Sequence, residues 1–95
     1  MIRPLALGLI LAAMAGTGAG AGAAPERVLA IGGAITEIVY ALGQGGRLVG
    51  RDSTSTYPPE AQALPDLGYM RALSPEGVLA AAPDLILADA DAGPP

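Results

Sequence analysis

The sequence predicts an α/β fold, a parallel-sheet βαβ(loop)αβ sandwich of three layers. Three observations carry this. Short apolar runs with strand character recur at residues 27–31, 48–50 and 85–88. Between the first two, Ile35, Ile38, Val39 and Leu42 repeat at the spacing of one helix face. Before the third, Ser74-Pro75-Glu76 has the chemistry of a helix start.

Each element follows in order. Arg27-Val28-Leu29-Ala30-Ile31 reads as a buried strand, and Gly32-Gly33 as the tight turn that leaves it. The following helix is closed by Gly43 and the pair Gly45-Gly46. Leu48-Val49-Gly50 is a second short strand, so residues 27–50 have the length of a compact βαβ unit. Residues 51–73 carry little periodicity, and a helical piece is expected only at 59–64. A connection this long is uncommon in a compact domain and is usually a functional or mobile loop. Ser74 is then the expected N-cap, with Pro75 at the first helical position and Val78, Leu79 and Ala82 as the apolar face. Pro83 ends the helix, and Leu85-Ile86-Leu87-Ala88 is expected to be a third buried strand.

The amino-terminal segment reads differently. Met1–Pro4 carries one positive charge, Leu5–Ala15 is an apolar run of eleven residues, and Gly16–Ala24 is a tract of small residues containing two A-x-A patterns. That order is expected of a cleavable secretory signal peptide at residues 1–24, which leaves residues 25–95 as one exported unit. This remainder has four arginines against nine carboxylates, a formal charge of −5. Such acidity argues against nucleic acid or an anionic membrane surface as a partner. With no cysteine and no histidine, the chain lacks thiolate metal sites, the commonest metal ligand and the usual general base. A binding role is expected rather than an enzyme, and without a G-x-G-x-x-G or Walker pattern a nucleotide-dependent Rossmann enzyme is disfavoured.

Four places could carry chemistry. The Ile31-Gly32-Gly33-Ala34 turn could offer helix N–H groups to an anion, or could be glycine turn geometry alone. Thr36 and Glu37 are expected in the first helical turn, where the dipole favours a carboxylate. Tyr69 and Arg71 stand two residues apart in a presumed extended segment, which would turn both toward one side. A phenolate is a hard anionic oxygen suited to ferric iron, and a guanidinium beside it would favour its ionised form. The plainer alternative is a packing tyrosine and a solvated arginine. Glu76 either serves the helix dipole or docks on a partner's arginines.

The stretches RVLAIGGAITEIVYALG, LVGRD and YPPEAQALPDLGYMRALSPEGVLAAAPDLILA resemble the N-terminal lobe of the periplasmic binding proteins that deliver haem, ferric siderophores and cobalamin to ABC importers. The likeness runs from Arg27 to Pro95, and GYMRALSPEGVL points within that group to the haemin-binding branch. The resemblance implies two α/β lobes joined by one long helix, with the ligand in the cleft between them. Here the linking helix and second lobe are absent from the matched stretch, so a partial N-terminal lobe is expected. It also implies Tyr69 as axial ligand to haem iron, Arg71 as its support, Tyr57 as an alternative ligand-binding residue, and Glu76 as the contact to the permease. The expected role is the haem-binding component of an ABC import system, working with an inner-membrane permease and ATPase. A ferric siderophore or cobalamin as cargo is the alternative within the family. A secreted lobe with no ligand function, or only a protein-interaction role, is the alternative outside it.

Overall fold

The computed structural model describes residues 23–94, so the expected signal peptide lies outside the described residues except for Ala23 and Ala24. Three strands, β1 (Val28–Ile31), β2 (Leu48–Arg51) and β3 (Leu85–Ala88), form a parallel sheet in the order β2-β1-β3. Two helices accompany them, α1 (Gly33–Ala41) and α2 (Pro75–Ala80). Single 3-10 turns occupy Gly45–Arg47 and Pro59–Ala63, the second matching the helical piece expected at 59–64. The α/β class, the parallel pairing and the element order agree with the sequence.

The core sits on β1, whose four residues are all buried. Its Val28 and Ala30 cluster with Val39 of α1 and Leu48 of β2, with Ile35, Tyr40 and Leu64 packed around them. On the opposite face, Ile31 and Ile86 line an apolar groove with Val78 and Leu79 of α2. The sheet therefore has one helix beside each face. Helix α1 ends in a Schellman arrangement. Gly43 adopts φ 72°, its N–H donates to the Tyr40 carbonyl at 2.9 Å, and the Gln44 N–H donates to that of Val39 at 3.0 Å. Helix α2 is capped as expected: the Ser74 hydroxyl accepts from the Gly77 N–H at 3.2 Å and donates to Glu76 at 2.9 Å.

Several expectations need correction. β3 is not buried: all four of its residues are exposed, because among the described residues neither helix packs closely over it. On α1, Ile38 and Leu42 point outward, and the inward face is Ile35, Thr36 and Val39. Leu79 is 76% exposed, and α2 stops at Ala80 because Ala82 leaves the helical region with φ 50°. Glu37 lies beyond the first turn of α1, which contains no acidic residue.

Candidate ligand-binding site

Parallel strands place their carboxyl ends on one rim, and in open α/β sheets ligands bind outside those ends. Here the rim gathers the β1–α1 turn, the segment leaving β2 at Asp52, and the turn leaving β3 at Asp89. Gly32 opens α1 with φ 111°, a left-handed conformation that favours glycine, and a side chain there would press on Asp89. Its N–H is not free for an anion, because it donates to Asp52 Oδ1 at 2.8 Å. Gly32 itself thus serves the turn geometry, with its N–H committed inside the rim.

Asp52 is the organising residue of the rim, and its side chain is fully shielded from solvent. Besides the Gly32 N–H, it accepts from the Thr54 N–H at 3.1 Å, the Thr54 hydroxyl at 2.6 Å and the Ser55 hydroxyl at 2.7 Å. The Ser55 hydroxyl lies 2.7 Å from that of buried Thr36, so the network reaches from the β2 exit into α1. Burial pushes the Asp52 carboxyl upward, but the hydrogen bonds from Thr54, Ser55 and Gly32 outweigh it and hold the group below its ordinary 3.8. The carboxylate is therefore ionised at neutral pH, and among the described residues its charge is met by hydrogen-bond donors and by no salt bridge.

The same region fastens the loop that carries Tyr69. The Ser53 N–H donates to the Gly68 carbonyl at 2.8 Å. Arg51 and Asp66 form a parallel bridge, with the Arg51 N–H on Pro65 O at 3.0 Å and the Leu67 N–H on Arg51 O at 2.9 Å. The half-buried Arg51 side chain closes a salt bridge to Asp66 at 3.7 Å and donates to the Leu64 carbonyl at 3.3 Å. Beyond Tyr69 the chain is strapped to the β3 exit, where Gly93 donates to Met70 at 2.8 Å and accepts from Leu73 at 3.1 Å.

Tyr69 is 51% exposed on this strapped loop. The expected extended geometry is absent: the Ala72 N–H donates to the Tyr69 carbonyl at 2.9 Å, which makes residues 69–72 a turn. Tyr69 and Arg71 are thus the first and third residues of that turn, and the i, i+2 argument for a shared side does not apply. Arg71 instead meets Asp91 at 3.6 Å, in a pocket of about 290 Å³ lined by Arg71, Ala90, Asp91 and Ala92. Tyr57 is exposed but lines a different recess, with Glu37, Tyr40, Ala41 and Pro58. Glu76 stands exposed at the start of α2, its carboxyl held below the ordinary value by its own backbone N–H and by Ser74.

Sequence reasoning missed Asp52 and Asp91. The run Asp52-Ser53-Thr54-Ser55 did carry a signal, since these side chains readily bond nearby backbone groups at turns. Asp91 carried none, because its contact with Arg71 depends on the strap between two distant loops.

Comparison with known proteins places this architecture. A family model described as periplasmic binding protein matches residues 28–94. The periplasmic heme-binding protein RhuT from Roseiflexus sp. RS-1, solved in apo form, is 51% identical with a TM-score of 0.71, over 76% of this chain and 28% of that one. A periplasmic heme-binding protein from Pseudomonas aeruginosa is 44% identical with a TM-score of 0.73, over 76% of this chain and 26% of that one. The vitamin B12-binding protein of Pectobacterium carotovorum is 39% identical over 72 residues, which is 76% of this chain and 26% of that protein. The chain thus spans about a quarter of the length of the curated relatives it matches.

Proposed function

Because this chain belongs to the periplasmic binding protein family, we propose that it serves the capture of haem for an ABC importer in the periplasm. The observation that carries the reading is Tyr69. It is an exposed phenol at the carboxyl-end rim of a parallel sheet, held by backbone bonds on both sides, in a chain with no histidine or cysteine to bind iron otherwise. The 51% and 44% identities to heme-binding proteins support the choice of cargo. Tyr69 would give its phenolate oxygen to ferric iron, a ligand type that haem proteins use. Arg71, in the next pocket along the rim, would take a propionate of the macrocycle. Glu76, exposed and ionised beside the rim, would contact basic residues of the permease. The role is binding and delivery, not catalysis, and residues 1–24 would direct export.

Cobalamin is the second reading, favoured by the vitamin B12-binding relative at 39% identity. In that case Tyr69 and Tyr57 would be contact surfaces for a neutral corrinoid. An absorbance titration with haemin, with cyanocobalamin as competitor, separates the two. The haem reading expects a saturable Soret shift and a charge-transfer band that Tyr69→Phe removes and cyanocobalamin does not displace. Bands unchanged in Tyr69→Phe, or displacement by equimolar cyanocobalamin, would refute it.

A further inference from the structure

We propose that Asp91 is a specificity-determining residue, holding the Arg71 guanidinium and yielding it to a carboxylate on the ligand. This rests on the haem reading and deepens it, because it sets how strongly macrocycles with free acid groups are held relative to those without. Asp91 is placed by its own turn: its N–H donates to Asp89 Oδ1 at 2.9 Å, and the Ala92 N–H donates to the Asp89 carbonyl at 2.9 Å. The straps from Gly93 to Met70 and Leu73 bring that turn against the Tyr69 loop. Geometry thus fixes both backbones, while both side chains stay exposed and free to change partner.

The contact itself is loose. At 3.6 Å through one guanidinium nitrogen, it is longer than a charge-assisted hydrogen bond, which spans about 2.7–2.9 Å. Arginine presents five N–H donors in a planar fork that matches a carboxylate bidentately. Among the described residues, Arg71 makes no other polar contact, so most of the fork is uncommitted. A ligand carboxylate could therefore form the bidentate pair that Asp91 does not. It would do so against Asp91 twice over, since it must displace this carboxylate and then sit beside it. A ligand without acid groups leaves the Arg71–Asp91 pair intact. Asp91 thereby weakens binding of acidic macrocycles by an amount that depends on Arg71, and leaves neutral ones untouched.

The test titrates the full chain with haemin and with haemin dimethyl ester, both dispersed in the same mild detergent. Removing an exposed competing pair predicts that Asp91→Asn tightens haemin binding about two- to fivefold and leaves the ester unchanged. The gain should shrink toward unity in about 1 M salt, where the Debye length is about 3 Å. It should also vanish in the Arg71→Gln background. Equal effects on haemin and ester, a gain that survives Arg71→Gln, or no gain at all would overturn the proposal while Tyr69-dependent bands remain. Loss of a Tyr69-dependent band for both porphyrins would overturn the haem reading and this inference with it.

Discussion

Asp52 offers the most informative single perturbation of the fold. Asp52→Ala removes an acceptor that takes four hydrogen bonds. The buried Gly32 N–H loses its partner outright, whereas Ser55 keeps the Thr36 hydroxyl and Thr54 can turn toward water. An orphaned buried donor costs about 1–3 kcal/mol, and each bond to a charged acceptor contributes about 1.5–3 kcal/mol. The expected loss is about 3–5 kcal/mol, because the Thr54 bonds are largely replaced by water. The 72 described residues suggest a total stability of about 4–10 kcal/mol, so Asp52→Ala should remove from about a third to all of it. Asp52→Asn keeps one carbonyl oxygen for Gly32 and Ser55 but turns an amide toward the Thr54 N–H, for a loss of about 1–2 kcal/mol. The sign with pH follows from the lowered carboxyl. Its contribution is complete above the unfolded value near 3.8 and fades as pH falls through the lower folded one. Urea unfolding followed by far-UV circular dichroism should therefore show the gap between wild type and Asp52→Asn narrowing below about pH 4. Asp52→Ala within about 0.5 kcal/mol of wild type would refute the reasoning, as would a pH-independent gap.

Gly33→Ala tests the docking of the β2 exit on α1. A Cβ there would stand 2.9 Å from the Thr54 carbonyl oxygen, so a loss of about 1–3 kcal/mol is expected in the same urea assay. Ile86→Lys tests the reading of β3 as an open edge. Ile86 is 48% exposed but also lines the groove beneath α2, so a loss of about 1–2 kcal/mol is expected in the urea assay. Light scattering at raised concentration should fall, since lysine on an edge strand blocks edge-to-edge pairing.

The fold was largely legible because its signals are local. Strand runs, the period of α1, its Gly43 stop and the Ser74-Pro75 start each depend on neighbouring residues only, and each is where expected. Burial was less legible. Leu85-Ile86-Leu87 has the composition of a buried strand, and local sequence cannot say that neither described helix packs closely over β3. The i, i+3, i+4 pattern on α1 marked Ile38 and Leu42 as inward, but Thr36 satisfies its hydroxyl through Ser55 and takes a core position a hydrophobic count would not assign. At the rim, exposed Tyr69 was readable as a candidate while its conformation was not. The turn at 69–72 is fastened to Gly93, more than twenty residues downstream, beside the Asp91 that Arg71 meets.

The central claim is that ligand is held at the carboxyl-end rim and not on the apolar groove between α2 and β3, which any flat hydrophobic molecule could wet. Amide chemical-shift mapping with gallium protoporphyrin, a diamagnetic stand-in for ferric haem, distinguishes the two. Shifts confined to Gly32, Ser53–Thr54, Gly68–Ala72 and Asp89–Gly93, and saturating together, are the result predicted. Shifts centred on Val78, Leu79 and Leu85–Leu87, with Tyr69 and Arg71 unmoved, would contradict it.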